Sequence, residues 1–140
     1  MDDSKKHIVA ITAVIKNESG DRILIAKRSA NEIAFPGKWA FPGGKSEKGQ
    51  TILETLKREV LEEVGLEIKD TKTFLKDFTF VRPDGHNVIG LCFLVTAKPG
   101  EIKIGKDFDE YAWVTAEELG NYDTITGMDE EVTLAFAYRQ

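Results

Sequence analysis

β-branched and apolar residues crowd His7–Lys16 (HIVAITAVIK), a composition that predicts a strand. Asn17-Glu18-Ser19-Gly20-Asp21 carries turn chemistry, and Arg22–Arg28 (RILIAKR) is expected to return as a second strand. Residues 29–37 form a loop. Lys38–Phe41 is a short strand candidate running into Pro42-Gly43-Gly44. The period then changes. Leu53, Leu56, Val60 and Val64 recur at helical spacing, predicting a helix over Gln50–Val64 that docks by one apolar stripe. Gly65 suits a left-handed cap at its end, and Glu54 and Arg58 have the spacing of an i,i+4 ion pair. Two further strands, Thr71–Val81 and Asn87–Ala97, flank the hairpin signal Arg82-Pro83-Asp84-Gly85-His86. Glu110–Val114 is a last short strand. Thr115 is placed to cap a short helix through Leu119, and Met128–Tyr138 predicts a terminal helix with Val132, Leu134 and Ala135 as contacts. Strands around one central helix, with a helix at the end, predict a sheet packed between helices in a single domain over residues 1–140.

The central helix carries a second stripe. Glu59, Glu62 and Glu63 fall at i, i+3 and i+4 and therefore share one side. Like charges at that spacing repel, so helix stability alone gives no reason for them. A hard divalent cation relieves the repulsion, because magnesium takes oxygen ligands and is commonly held by a few carboxylates together with substrate phosphates. A pair of acids would be an ordinary solvated helix face. Arg58, Gly65 and the upstream Gly43-Gly44 make the stretch more specific than that.

The formal net charge of −5 argues against a nucleic-acid polymer as partner, since such binding needs a basic surface. A small phosphorylated ligand stays compatible, because bound metal inverts the local field. The single cysteine, Cys92, lies in the apolar run IGLCFLV and predicts a buried small hydrophobe in a reducing, cytoplasmic setting. The N-terminal MDDSKKHIVA is too polar for a signal peptide, and no apolar run approaches a membrane span. Trp39 and Phe41 alternate and are expected to pack, as are Tyr111 and Trp113. Phe35, in a loop, is the aromatic candidate for contact with a base. His86 is expected to face solvent at the hairpin tip. Asp129, Glu130 and Glu131 begin the terminal helix, where acids suit the dipole.

Gly44–Leu66 (GKSEKGQTILETLKREVLEEVGL) resembles the signature of the Nudix hydrolases: Gly, five residues, Glu, seven residues, then Arg-Glu-U-x-Glu-Glu-x-Gly-U, with U a bulky aliphatic. Gly44, Arg58, Glu59, Val60, Glu62, Glu63, Gly65 and Leu66 match in register. The segments AKRS, KWAFPGGK and EYAWVTAEEL are similar to those of the MutT-related branch, so the likeness spans nearly the whole chain. One position departs: the first signature Glu is Gln50, an ordinary first-turn residue on a bland reading, which keeps an acceptor oxygen but loses the charge.

The resemblance implies an α/β/α sandwich with a mixed sheet. It implies hydrolysis of a phosphoanhydride bond in a nucleoside diphosphate linked to another moiety, with Mg2+ or Mn2+ as cofactor. It makes Glu59, Glu62 and Glu63 metal ligands, adds the carbonyl of Gly43, and gives Arg58 the task of orienting the acids; Glu59 is the first candidate general base. Arg28 aligns with a position that contacts substrate phosphate in MutT-like members. The expected partner is a small nucleotide rather than a nucleic-acid polymer or a membrane, and because dimers are frequent in the family a homodimer stays open. A MutT-like nucleoside triphosphate pyrophosphohydrolase, acting on ordinary or oxidised nucleotides, heads the readings. ADP-ribose or nucleotide-sugar cleavage is the alternative, for which Pro83 lies in a suggestive region, and a non-catalytic nucleotide-binding module is the third, supported only by Gln50.

Overall fold

A computed structural model describes residues 3–138 of the chain; Met1, Asp2, Arg139 and Gln140 lie outside them. The order of elements is β1 (Ile8–Lys16), β2 (Ile23–Arg28), β3 (Trp39–Ala40), β4 (Gly43–Lys45), α1 (Ile52–Val64), β5 (Ile68–Val81), β6 (Asn87–Ala97), β7 (Phe108–Val114) and α2 (Met128–Ala137). The strands form one mixed sheet in the order β3-β2-β1-β6-β5, with β4 also paired to β1 and β7 to β2. β1 and β6 run parallel from Ile8↔Val88 to Lys16↔Thr96. Parallel pairs are buried on both faces, which accounts for the near-continuous apolar character of both segments.

Alternation along these strands divides the core in two. On one face Ile11, Ala13 and Ile15 join Phe93 and Val95 against Leu56, Val60 and Val64 of α1. On the other, Val14, Ile23, Ile25, Cys92 and Leu94 meet Met128, Val132 and Ala135 of α2. The sheet therefore lies between the helices, as the α/β/α expectation requires.

α1 starts one residue after Thr51, whose hydroxyl accepts from the Glu54 N–H (3.2 Å) while the Glu54 carboxylate accepts from the Thr51 N–H (3.4 Å). This reciprocal capping box corrects the expected Glu54–Arg58 pair: Glu54 turns back to the helix start, leaving Arg58 to other partners. It also places Gln50 before the helix rather than in its first turn. Gly65 closes the helix at φ 75°, with its N–H on the Leu61 carbonyl.

Several boundaries move. β5 begins at Ile68 and β7 at Phe108, both earlier than predicted, because β6 and β2 extend the pairing. Gly43–Lys45, expected as loop, is a short strand held to Ala10, Ile11 and Thr12 of β1. Thr115 does accept from the Glu118 N–H (3.2 Å), at the start of a 3-10 turn over Glu118–Asn121. The terminal helix ends at Ala137, one residue before the predicted Tyr138. Leu134, expected to pack, is 39% exposed, and Tyr111 is exposed as well; α2 buries Met128, Val132 and Ala135 on one side and turns Leu134 away. Phe41 is buried and Trp39 packs edge-on against Tyr122, as expected, and His86 is exposed at the hairpin tip.

Leu56 is 1% exposed, and truncating such a side chain leaves a cavity. Leu56→Ala is expected to lower unfolding stability by about 2–5 kcal/mol, and Leu134→Ala by no more than about 0.5 kcal/mol, both measured by urea denaturation.

Candidate active site

Gly43 and Gly44 bring β4 closer to its neighbours than any side chain would allow. A Cβ on Gly43 would lie 2.2 Å from the Ile11 carbonyl oxygen, and one on Gly44 would lie 2.3 Å from the Glu59 carboxylate. The bare backbone of Gly44 thus forms the wall against which Glu59 rests. Glu59 and Glu63 are buried, at 7% and 8% exposure, on the α1 side that meets this strand. Glu62 differs: its side chain is 59% exposed and stands at the rim.

Arg58 ties the acids to the preceding loop. Its Nη1 donates to Glu59 Oε1 (2.9 Å), its Nη2 to the Lys45 carbonyl (3.0 Å) and its Nε to Gln50 Oε1 (3.1 Å). Glu47 lies 3.3 Å from Nη1 and Glu62 3.9 Å. Gln50, the position that departs from the signature, therefore supplies an acceptor oxygen to the arginine, a function a neutral amide performs as well as an acid in geometry.

Two more carboxyls enter from elsewhere in the chain. Asp107, just before β7, comes within hydrogen-bonding reach of both Glu63 and Glu32. Burial pushes the Glu63 carboxyl up to about 8, and Asp107, Glu59 and Glu32 add to the shift. Glu59 is raised by burial too, with Arg58 opposing and Glu62 adding. Glu32 is raised by burial against the pull of Arg28. Glu63 Oε2 is buried with no hydrogen-bond partner.

An all-oxygen donor set, an orphaned buried carboxylate oxygen and a glycine-walled recess suit a hard divalent cation. Among the described residues, no three His, Cys, Asp or Glu side chains already close around a single point as a cation cage, and Glu62 would have to swing inward from the rim to join the other two. Neither Asp107 nor Glu32 carries a signal in the sequence. Both lie in charged loop segments, without the periodicity that singles out the helix acids, and only the packing of the two loops brings them together; the Ser29 N–H donates to the Asp107 carbonyl at 2.9 Å.

Gly43, Gly44 and Lys45 also border a cavity of about 490 Å3 on the α2 face of the sheet, within the size range of small-molecule sites. Arg28 lines it, with its Nε donating to the Ala34 carbonyl (2.8 Å) and Nη2 lying 3.5 Å from Glu32 Oε2. Phe35 lines it as well. It adopts a left-handed backbone (φ 50°), uncommon for a bulky residue, and packs edge-on against Phe80 at 5.0 Å. The acid cluster and the cavity thus share Gly44 as their partition, and the sequence-predicted Gly43, Arg58, Glu59 and Glu63 meet there with Arg28 and Phe35 across the cavity. Pro83 lies in the exposed hairpin turn, outside this group.

A family model described as NUDIX domain matches residues 6–136. The chain is 37% identical over 127 residues to the nucleoside triphosphatase NudI of Klebsiella pneumoniae, covering 84% of this chain and 89% of that one. It is 35% identical over 122 residues to the NudI of an Escherichia coli strain, covering 81% and 85%. The fold matches the crystal structure of a MutT protein from Methanosarcina mazei with a TM-score of 0.78, at 28% identity over 94% of each chain. No helix among the described residues is long and apolar enough to cross a membrane. With the signature helix, its glycine wall and these likenesses together, the chain belongs to the Nudix family and is a MutT-related Nudix hydrolase.

Proposed function

We propose that this chain, acting as one domain over residues 1–140, is a Mg2+-dependent nucleoside triphosphate pyrophosphohydrolase that releases a nucleoside monophosphate and pyrophosphate. One observation carries the reading: the buried acids and a nucleotide-sized cavity meet across the single bare backbone of Gly44. The printed activity of the NudI relatives, nucleoside triphosphatase, supports the substrate class.

Glu59, Glu62 and Glu63, with the Gly43 carbonyl, would hold Mg2+ or Mn2+. When bound, the cation supplies Lewis-acid polarisation of the phosphoryl group. The remaining work falls to the chain. Arg58 fixes the Glu59 carboxylate through a charge-assisted bond, so that Glu59 keeps one orientation while accepting the proton of the attacking water. Arg28, immobilised by the Ala34 carbonyl, binds substrate phosphate, and Phe35 borders the base. Glu63 stores a proton near neutral pH while the site lacks a cation, and this relieves the repulsion among the acids.

Glu63→Gln is expected to lower turnover of a nucleoside triphosphate in Mg2+ by at least about a hundredfold, and to weaken Mg2+ and Mn2+ binding measured by calorimetry. Near-normal values of both would remove Glu63 from the site. Gly44→Ala forces the Glu59 carboxylate aside and is expected to reduce turnover about a hundredfold, as a misplacement of that size does, in a steady-state assay with the folded state monitored by circular dichroism.

The raised Glu63 pKa also fixes a pH trend. In unfolded chains this carboxyl loses its proton near 4.5, whereas the folded protein keeps it until about 8. Between those values the native state binds more protons, so stability falls as pH rises. Thermal unfolding in chelator is expected to show a declining Tm from about pH 5 to pH 8. Glu63→Gln should flatten that decline without abolishing it, because Glu32, Glu59 and Glu131 are shifted in the same direction.

A further inference from the structure

Glu32 lies in the loop between β2 and β3 and has no part in the chemistry above. This loop closes on itself. The Arg28 N–H donates to the Lys38 carbonyl (2.9 Å) and the Gly37 N–H to the Arg28 carbonyl (3.1 Å). The Arg28 side chain reaches across the loop it opens, where its Nε donates to the Ala34 carbonyl (2.8 Å) and its Nη2 lies 3.5 Å from Glu32 Oε2. Both side chains are largely buried, at 23% and 24% exposure, although Asn31 and Ile33 on either side of Glu32 are exposed. Ala34 and Glu32 thus occupy the Nε/Nη2 side of the guanidinium. Nη1 takes part in neither contact, so the Nη1/Nη2 edge is left for a bidentate ligand.

The loop does not need the Glu32 carboxylate for its own shape. Backbone and hydroxyl bonds already fix this stretch: the Glu32 N–H donates to the Ser29 carbonyl (3.2 Å), the Asn31 N–H to Ser29 Oγ (3.3 Å) and the Ser29 N–H to the Asp107 carbonyl (2.9 Å). A loop carboxylate turned inward loses hydration. Here it also comes within hydrogen-bonding reach of Asp107 and into the field of Glu63, and both repel it. Arg28 is the main attraction that opposes these costs, with Lys45 adding less. Glu32 is therefore placed for the sake of the arginine. Its position matters because the acid cluster offers Arg28 other partners. A guanidinium free to turn would be drawn toward Asp107 and Glu63 and away from the cavity.

We propose that Glu32 is a positioning residue for the substrate's phosphate group: with the Ala34 carbonyl it clamps one side of the Arg28 guanidinium, aims the opposite edge at the phosphate, and keeps Arg28 from collapsing onto the acids. Glu32 itself touches neither phosphate nor cation. A guanidinium held at two points loses less freedom when a phosphate engages it than one held at a single point, so the benefit appears in binding. This rests on the reading of Arg28 as the phosphate-binding group and adds the residue that orients it.

The test uses the full chain with Glu32→Ala, Glu32→Gln, Arg28→Ala and the double variant Arg28→Ala/Glu32→Ala. Steady-state kcat and KM are measured on a nucleoside triphosphate across a Mg2+ titration. Binding of the nucleoside monophosphate in chelator is measured by calorimetry, and thermal unfolding is followed in parallel. For Glu32→Ala, KM and the monophosphate Kd are expected to rise about tenfold, the scale of a weakened hydrogen bond to a charged group. The kcat at saturation stays within about twofold, as for a loss confined to binding, and the Mg2+ dependence is unchanged. Glu32→Gln keeps an acceptor at the same reach and recovers most of the affinity. In the Arg28→Ala background the loss of Glu32 adds no further rise, because the two residues act as one unit. The proposal is overturned if Glu32→Ala leaves KM and Kd unaltered, if its effect adds in full to that of Arg28→Ala, or if it lowers kcat and weakens Mg2+ binding, which would make Glu32 a member of the cation cluster. If Glu32→Ala fails to fold, Glu32→Asp replaces it: the shorter side chain draws the carboxylate back, and a KM equal to wild type would overturn the proposal. Should the wild type hydrolyse no triphosphate yet bind the monophosphate in a way that depends on Glu32 only when Arg28 is present, the hydrolase reading fails and this one stands. Normal hydrolysis that requires Arg28 but is indifferent to Glu32 fails this one alone.

Discussion

The close approach of the β4 backbone to β1 on one side and to Glu59 on the other is the constraint on which the site depends. No residue with a Cβ fits at Gly43 or Gly44 without displacing the Ile11 and Thr12 backbone or the Glu59 carboxylate. Because the wall is backbone, it cannot adjust by changing rotamer, and the carboxylate behind it is tied by the Arg58 guanidinium. The core clamps α1 through Leu56, Val60 and Val64, all 1% exposed or less, so the helix cannot retreat either.

Packing several acids into this recess opposes the same burial that positions them. Desolvation and mutual repulsion raise Glu32, Glu59 and Glu63 together. One arginine opposes this at the centre. Arg58 reaches Glu59 while anchored at Gln50 and the Lys45 carbonyl, so its charge is delivered from a fixed direction. A site that is electrostatically strained when empty gains more from a divalent cation than a neutral recess would. In this arrangement the neutral Gln50 serves the arginine rather than the acids.

The layered fold explains why the acids and the cavity lie on different sides of the sheet yet touch. Odd positions of β1 (Ile11, Ala13, Ile15) face α1, whereas Thr12 and Val14 face the other way. The sheet separates the buried acids of α1 from a cavity lined by aromatic and aliphatic side chains with a few charged groups, and the bare backbone of Gly43 and Gly44 in β4 lies at the boundary.

Local patterns determined much of this protein. The helical period of α1, the acids on its flank, the glycine pair before it and the β-branched strands are all short-range features, and each survives in the fold because one element carries it. Boundaries shifted where pairing with a distant strand extended an element, as β2 did for β7. The Glu54–Arg58 pair was lost because the backbone at the helix start competes for Glu54, and Leu134 proved exposed because ten residues of α2 show too little periodicity to fix its rotation. What only the tertiary structure decided is which residues converge from far apart. Asp107 and Glu32 join Glu63 because two loops pack together, and Glu131 and Thr12 border one cavity because α2 lies across β1. A carboxyl in a polar loop or a helix's first turn looks the same in sequence whether water or protein surrounds it, and burial, which sets its chemistry, depends on the whole chain.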